Sequence, residues 1–237
     1  MEELEREYLI SCYDKRVGFL GKTPAALGWS EKGQAARYEA ALGLFGFESL
    51  SGFGSVDERG GCAGVSCPGA VSLADYGCGM GDFYGFLLRK GISGIDYSGF
   101  DINPGLIGIA RTRYLGGKDR SEKNGDQKNV FFDVLDIDSG ELPGFYDYSL
   151  ICGVFNQRVG GASEAAKRCI EKMWRRTRRA LVFDALSDKK DMEKDAALEY
   201  YGAREMLEFA ARKIPAAKAS VHEDLVEGSL ILCLRRE

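Results

Sequence analysis

The run DYGCGMGD, from Asp75 to Asp82, holds the residues most suited to binding chemistry in this sequence. Three glycines alternate along it, and a ligand can approach backbone closely only where no Cβ intrudes. A strand is expected to end at Asp75 and a helix to begin at Asp82, where free N–H groups can receive a carboxylate. The run differs from the dinucleotide fingerprint GxGxxG because position 82 is an acid, which would repel a pyrophosphate. The pattern therefore predicts a ligand site, but not one for NAD.

Further candidate residues follow the next predicted strands. Asp101 ends the second strand, 24 residues after Gly77, where a carboxylate can accept hydrogen bonds from ribose hydroxyls. The third strand leads into Asp136, and the fourth strand leads into Cys152. Asp133 competes with Asp136 but lies inside the strand. Carboxyl ends of parallel strands share one edge of a sheet, so we expect these residues to surround one site.

Alternating strand and helix patterns position these residues. The predicted strands are 71–75, 97–101, 130–135, 146–152, 180–184, 219–222 and 229–234, and the predicted helices are 82–90, 104–114, 163–177 and 196–213. Such alternation indicates a mostly parallel sheet covered on both faces, and the final hairpin adds one antiparallel strand. We expect an α/β fold, a three-layer α/β/α sandwich around a seven-stranded sheet.

Three segments make up the predicted organisation of the chain. Residues 1–50 carry helical patterns in two pieces, the second beginning after Ser30 as N-cap, and we expect them to form a lid over the site. Residues 51–70 are Gly-rich and predict a mobile connection. Residues 71–237 form the ligand-binding domain.

The segments DYGCGMG, FDINP, VFFDVLDID and YDYSLICGVFN resemble, in order, the signature segments of class I S-adenosylmethionine-dependent methyltransferases. The resemblance implies a Rossmann-like fold and S-adenosyl-L-methionine as cofactor, with S-adenosyl-L-homocysteine as product. More narrowly, YDKR, ALGWS, VFNQ and VHEDL resemble a group of uncharacterised small prokaryotic methyltransferases. That narrower resemblance covers nearly the whole chain and brings no substrate with it.

The resemblance also implies roles for individual residues. The glycine turn would bind the methionine end of the cofactor, and the end of the second strand would bind the ribose. The end of the third strand would bind adenine, and the end of the fourth strand would contact the methionyl amino group. In that order, the cofactor-binding residues are Asp75, Gly77, Cys78, Gly79 and Gly81; Asp101 and Ile102; Asp136 and Ile137; and Cys152 and Gly153.

Acceptor-binding and catalytic residues are predicted from aromatic and polar side chains. Because the sulfonium already activates the methyl group, alignment of the acceptor matters more than a base, and transfer is expected by direct in-line displacement. No Asn/Asp-Pro-Pro-aromatic segment follows the fourth strand, which favours a small-molecule or protein acceptor over a nucleobase. The predicted acceptor site comprises Tyr13, Trp29, Tyr38, Phe155, Asn156 and Tyr200; the catalytic candidates are Tyr13, Asn156 and His222, the only histidine.

Composition limits the other functions and partners. The net charge is −4, and the basic cluster at 175–179 is typical of a solvated helix end, so we expect no nucleic-acid partner. No apolar run is long enough for a membrane span, the start lacks a signal-peptide pattern, and seven scattered cysteines predict neither a disulfide framework nor a metal site. We expect a cytoplasmic monomer or homodimer with a small-molecule acceptor.

Three alternatives to methyl transfer are open at this stage. The same fold can direct attack on another sulfonium carbon, a cyclisation that releases methylthioadenosine. The chain could also be a non-catalytic, cofactor-binding partner subunit. An NAD-dependent oxidoreductase is disfavoured by Asp82 and by the lack of a Tyr-x-x-x-Lys pair.

Overall fold

The computed structural model describes residues 3–47, 71–92, 94–116, 130–189 and 194–236. The connection predicted at 51–70, with Cys62 and Cys67, lies outside these ranges. The helices are α1 (Glu3–Leu20), α2 (Glu31–Phe45), α3 (Asp82–Arg89), α4 (Pro104–Leu115), α5 (Ala162–Trp174) and α6 (Ala203–Lys213), with a short 3-10 helix at Pro24–Leu27. The strands are β1 (Val71–Tyr76), β2 (Ile95–Asp101), β3 (Val130–Val134), β4 (Tyr146–Cys152), β5 (Thr177–Leu186), β6 (Lys218–His222) and β7 (Ser229–Arg235).

All seven strands form one sheet in the order β3-β2-β1-β4-β5-β7-β6. Strands β1 to β5 pair in parallel, and β7 is antiparallel to both β5 and β6. The strand order reverses between β1 and β4, and open α/β sheets bind ligands at such a switch point. The predicted seven-stranded α/β fold with one antiparallel strand is confirmed.

Helices cover both faces of the sheet. Apolar residues of α2, α3 and α4 pack in one core cluster, and those of α5 and α6 pack in the other. The α3 helix buries Phe83, Phe86 and Leu87, while α5 buries an almost continuous stripe that includes Ile170 and Met173. The result is the three-layer sandwich that the alternating pattern predicts.

The two N-terminal helices occupy different environments. Helix α2 is capped by Ser30, as predicted, whose Oγ accepts a hydrogen bond from Gly33 N at 3.0 Å. It buries Tyr38, Leu42 and Phe45 against the sheet and is therefore part of the sandwich. Helix α1 has no buried residue and packs against the 3-10 helix. Only α1 and the 3-10 segment thus lie outside the layers.

The helix predicted at 196–213 is much shorter in the structure, and the helix predicted at 163–177 ends at Trp174 because Thr177 begins β5. Helix α6 begins at Ala203, not at residue 196, because the preceding chain forms a turn and two isolated β-bridges. Tyr201 N donates to Leu186 O at 2.8 Å, and the buried Tyr201 Oη donates to Phe155 O at 3.0 Å. These bonds tie the segment before α6 to the carboxyl ends of β4 and β5.

Candidate functional site

A cavity of about 120 Å³ opens at the carboxyl edge of the sheet, where β1, β2, β3 and β4 end. Helix α1 and the 3-10 segment cover it. Among the predicted site residues, those that line it are Gly77, Gly79, Asp101, Ile102, Asp136, Ile137, Cys152, Gly153, Tyr13, Trp29 and Phe155. The structure therefore brings four separate strand ends and the N-terminal segment to one place.

The glycine turn after β1 is tightly packed. Gly77 and Gly79 have φ of +79° and +55°, a region that favours glycine. A Cβ on Gly77 would overlap Val154, and one on Gly79 would lie 2.9 Å from Leu27 Cδ1. In this structure, protein side chains thus occupy the space beside these glycines that a Cβ atom would otherwise fill. Gly81 faces Tyr114 and Phe132 and does not line the cavity; neither does Cys78, which is buried.

Asp101 lies at the end of β2 with its carboxylate on the cavity. Its Oδ2 accepts a hydrogen bond from Gly79 N at 2.9 Å, and its Oδ1 accepts one from Asn103 N at 2.9 Å. Burial raises the pKa of this carboxyl, and the two backbone N–H groups act against that rise. Two ionised oxygens have about four acceptor positions, so the carboxylate retains capacity for a ligand.

Asp136 follows β3 and contacts helix α1. Its carboxylate accepts hydrogen bonds from Arg6 Nη1 and, at 2.6 Å, from Ser139 Oγ. Partial burial opposes ionisation, but the bonds from Ser139 and from the Asp138 N–H, together with Arg6, hold the pKa below its ordinary value. Asp136 therefore presents a negative charge at the cavity, and Arg6 links that charge to α1.

A second polar contact fixes the other end of α1. Asn103 Nδ2 donates to Asp14 Oδ1 at 2.8 Å, while Asn103 Oδ1 caps α4 through Leu106 N at 3.0 Å. Tyr13, beside Asp14, reaches the cavity. Its pKa is raised by burial and by the nearby charge of Asp101. Tyr13 consequently stays protonated near neutral pH and can donate a hydrogen bond.

The end of β4 packs against Trp29 and a buried ion pair. Gly153 has φ of +68°, and a Cβ there would overlap the Trp29 ring. Arg37 Cζ lies 4.4 Å from the centre of that ring, and Arg37 Nε donates to Asp184 Oδ1 at 3.1 Å. Burial raises the pKa of Asp184 to about 6, and Arg37 opposes the rise. Cys152 Sγ lies 3.7 Å from the same Asp184 oxygen.

Asp75 is buried beneath the cavity and does not line it. Tyr97 Oη donates a hydrogen bond to its Oδ2. Burial raises the Asp75 pKa to about 7, although the Tyr97 bond lowers it. In the unfolded chain the pKa is near 3.8, so the folded state binds the proton more tightly. This carboxyl therefore lowers stability as pH rises from about 4 to about 7.

We expect Asp75→Asn to reduce this pH dependence, because the amide keeps an acceptor for Tyr97 but does not ionise. The difference in melting temperature between the variant and wild type should become more favourable to the variant as the pH is raised from about 5 to about 8. Asp184 titrates in both proteins, so its effect cancels in the comparison. Thermal denaturation at both pH values measures the difference, with Asp133→Asn, which alters a half-exposed acid, as control. Equal pH dependence in wild type and Asp75→Asn would contradict the buried-carboxyl assignment.

Four predicted acceptor or catalytic residues do not line the cavity. His222 ends the edge strand β6, where Nε2 is 3.0 Å from Ser220 Oγ. Tyr38 packs against Phe83 and Phe86 in the core and lines a separate polar cleft. Asn156 Oδ1 accepts from Leu186 N at 3.3 Å, and Tyr200 Oη accepts from Asp195 N at 2.9 Å. Of the predicted acceptor and catalytic residues, the structure thus brings Tyr13, Trp29 and Phe155 together at the cavity.

Other cavity residues carried no clear signal in the sequence. They are mostly apolar and come from α1, the 3-10 helix, the start of α4, the loops after β3 and β4, and the first residue of α5. They are Leu9, Ile10, Leu27, Asn103, Leu106, Leu135, Asp138, Val154, Gln157, Val159 and Ala162. Only Asn103 had a recognisable pattern, since an Asn before Pro104 is typical of a helix N-cap.

Solved structures share this architecture. Magnesium protoporphyrin IX methyltransferase (ChlM) from Synechocystis PCC 6803, solved with bound SAH, superimposes with a TM-score of 0.63 at 14% identity, over 99% of each chain. The methyltransferase domain of bacterial CtHen1 gives 0.56 at 10% identity, over 86% of this chain and 99% of the other. The chain has the fold of class I S-adenosylmethionine-dependent methyltransferases. A methyltransferase from Aquifex aeolicus gives 0.50 at 14% identity, over 71% and 84%.

The likeness to these class I methyltransferases is one of fold. No protein-family model matches the sequence, and no curated protein matches it. Within the described ranges, no helix combines the length and apolar character that crossing a membrane requires.

Proposed function

We propose that this chain is an S-adenosylmethionine-dependent methyltransferase that methylates oxygen or nitrogen of a small-molecule acceptor. The observation that carries the proposal is the convergence of three consecutive strand ends. Gly77 and Gly79 after β1, Asp101 at the end of β2 and Asp136 after β3 line one cavity. Fold neighbours solved with SAH and with SAM support it.

The donor and acceptor groups of the cavity fit this cofactor. Asp101 offers an ionisable, buried acceptor for ribose hydroxyls, and the charge of Asp136 suits an exocyclic amine. The Cβ-free backbone of Gly77, Gly79 and Gly153 suits the methionine portion. In the same assignment, Ile102 would contact the ribose and Ile137 would contact adenine. Cys152 would contact the methionyl amino group.

The bound cofactor would supply a methyl group already activated by its sulfonium centre. The chain then has to orient the acceptor and exclude water. Positioning lowers the barrier by about 7–11 kcal/mol in well-oriented reactions. A base typically accelerates a reaction by roughly 10²–10⁴-fold, which corresponds to only about 3–5 kcal/mol. We assign this task to Tyr13 and Phe155, which together with Trp29 form the aromatic part of the cavity wall.

Tyr13 is assigned a donor role. Burial and the charge of Asp101 raise its pKa and keep its hydroxyl protonated, so it would orient an acceptor atom by donating a hydrogen bond. Gln157, also on the cavity, can donate or accept. His222 and Asn156 have no place in this proposal because they do not line the cavity.

The cavity also supports the acceptor class. Most of the neighbouring side chains are apolar, including Leu9, Leu27, Val154 and Val159, with few polar groups among them. An apolar site with a small number of directing polar groups is typical of small-molecule pockets. The net charge of −4 disfavours a nucleic-acid substrate. We also propose a cytoplasmic location, from the sequence pattern alone.

S-adenosylhomocysteine is expected to raise the melting temperature, whereas NAD is expected to leave it unchanged. At a concentration of about 100 times its Kd, a ligand adds about 2.7 kcal/mol of stability. For a chain of this size that corresponds to a rise of about 5–10 °C. Differential scanning fluorimetry with each ligand measures the shift.

Equal shifts with both ligands, or no shift with either, would contradict the cofactor assignment. Product analysis then tests the reaction. S-adenosylhomocysteine formed in proportion to a methylated acceptor supports methyl transfer, and methylthioadenosine would indicate the cyclisation chemistry. Cofactor binding without either product, with turnover restored by another protein, would indicate a partner subunit.

A further inference from the structure

Trp29 occupies space at the end of β4 that a ligand would need. Its ring packs directly on Gly153, so closely that a Cβ on that glycine would overlap two ring atoms. Gly153 is the residue assigned above to the methionyl end of the cofactor. In this structure the indole therefore covers the backbone that the ligand would contact.

The cavity left beside Trp29 is small. Its volume is about 120 Å³, whereas pockets for small organic ligands usually measure roughly 300–1,000 Å³. Val154 fills the space at Gly77, and Leu27 fills the space at Gly79. A ligand that contacts all three glycines must displace side chains, and Trp29 is the largest of them.

The position of Trp29 in the chain allows its side chain to move. It lies between Gly28, which ends the 3-10 helix at φ +87°, and Ser30, the N-cap of α2. Its backbone N–H is fixed by Pro24 O at 3.0 Å, so the motion is one of side-chain rotation. The ring is only partly buried, so solvent-exposed space is available to it.

A buried cation holds the ring in its present place. Arg37 stacks on Trp29 with Cζ 4.4 Å from the ring centre, and Asp184 and Gly33 O in turn hold the guanidinium. Cation–π stacking is strongest when the cation is desolvated, but it is a non-covalent attraction that rotation of the side chain can break. It defines a closed position for the ring without making that position irreversible.

We propose that Trp29 is a gating residue that closes the methionine half of the cavity and is displaced when the cofactor binds. The inference rests on the proposed function, because it takes S-adenosylmethionine as the ligand. Its consequence is a reduced apparent affinity in wild type, since only the fraction of molecules with the gate open is competent to bind.

Fluorescence tests the displacement, because the chain has two tryptophans, Trp29 and Trp174. Trp174 is buried at the end of α5, under Arg236. Titration of wild type with S-adenosylhomocysteine should change the tryptophan emission. Trp174→Phe should retain that change, and Trp29→Phe should lose it while still binding the ligand by calorimetry. Emission unchanged in wild type at calorimetric saturation would overturn the proposal.

Calorimetry of Trp29→Ala provides the second test. Removing the gate should lower the Kd for S-adenosylhomocysteine by at least about threefold. An unchanged or higher Kd would mean that Trp29 is a fixed wall, and would overturn the proposal. Absence of binding in both wild type and Trp29→Ala would instead reject the proposed function. Binding by Trp29→Ala alone would support both. Circular dichroism verifies that each variant is folded.

Discussion

Asp101→Ala is expected to weaken the binding of S-adenosylhomocysteine by more than about tenfold. Hydrogen bonds to a charged acceptor contribute about 1.5–3 kcal/mol each, and 1.4 kcal/mol corresponds to a tenfold change in Kd. Asp101 is the one acid at the end of β2 and lines the cavity, so no neighbouring carboxylate on that strand end can replace it. Isothermal titration calorimetry measures the Kd.

The same substitution should lower thermal stability. Asp101 accepts hydrogen bonds from Gly79 N and Asn103 N, and removing the carboxylate leaves two buried donors without that acceptor. Binding is therefore compared at a temperature where calorimetry of unfolding shows each variant to be native. Asp133→Ala serves as the matched control, because Asp133 is an acid in the adjacent strand β3 with a half-exposed side chain.

Comparison of the two variants distinguishes the loss of a specific contact with the ribose from a general effect of charge. Asp133→Ala should leave the Kd within a factor of about two, because Asp133 does not line the cavity and solvent screens its half-exposed charge. Unchanged affinity in Asp101→Ala would place the ribose elsewhere. Equal losses in both variants would indicate an effect of charge, and the role of Asp101 would again be rejected.

The strand ends were predictable from local sequence because one physical rule fixes their position. Strand β2 ends at Asp101 and β3 ends two residues before Asp136, and parallel strands bring their carboxyl ends to one edge. The rule does not tell which end residues face the cavity. Asp75 lies one residue before the end of β1, yet its side chain points into the core toward Tyr97.

Long-range packing determines which of the predicted aromatic residues reach the cavity, and the local sequence carries little information about that packing. Trp29 and Tyr38 lie nine residues apart in the same N-terminal segment. Tyr38 is on the buried face of α2, against Phe83 and Phe86, whereas Trp29 precedes that helix and reaches the cavity. The Gly-rich stretch suggested that the whole segment stands apart from the sheet, but α2 packs within the sandwich.

His222 shows a limit of reasoning from strand ends alone. Strand β6 runs parallel to β5, so His222 does lie toward the carboxyl edge. However, β7 and β5 separate β6 from β4, and β4 carries the nearest cavity residues. The order of strands across the sheet, which the sequence does not specify directly, removes His222 from the cavity.

Gly77→Ala is expected to have a large effect on both stability and ligand binding. Gly77 has φ of +79°, and a Cβ there would overlap Val154 Cγ2. The left-handed conformation alone costs an L-residue about 1–2 kcal/mol. Overpacking in a closed environment adds about 1–3 kcal/mol. The melting temperature should fall by several degrees, and binding of S-adenosylhomocysteine should decrease by more than about tenfold because the turn must shift.

Gly91→Ala is the matched control for the backbone cost. Gly91 has φ of +69°, and a Cβ added there would have no atom within 4 Å, so it shares the conformational strain without the overlap. Its melting temperature should fall by less than that of Gly77→Ala, and its Kd should equal that of wild type. Similar losses of stability in both variants would show that backbone strain, and not contact with Val154, limits position 77.

The double variant Gly77→Ala/Val154→Ala separates the protein contact from the ligand contact. Truncating Val154 removes the methyl group that a Cβ at position 77 would overlap, so part of the lost melting temperature should return. Binding should stay weak, because the new Cβ still projects from backbone assigned to the methionine portion of the cofactor. Recovery of both stability and affinity would show that Gly77 serves only the packing of Val154, and the assignment of the glycine turn to the cofactor would be wrong.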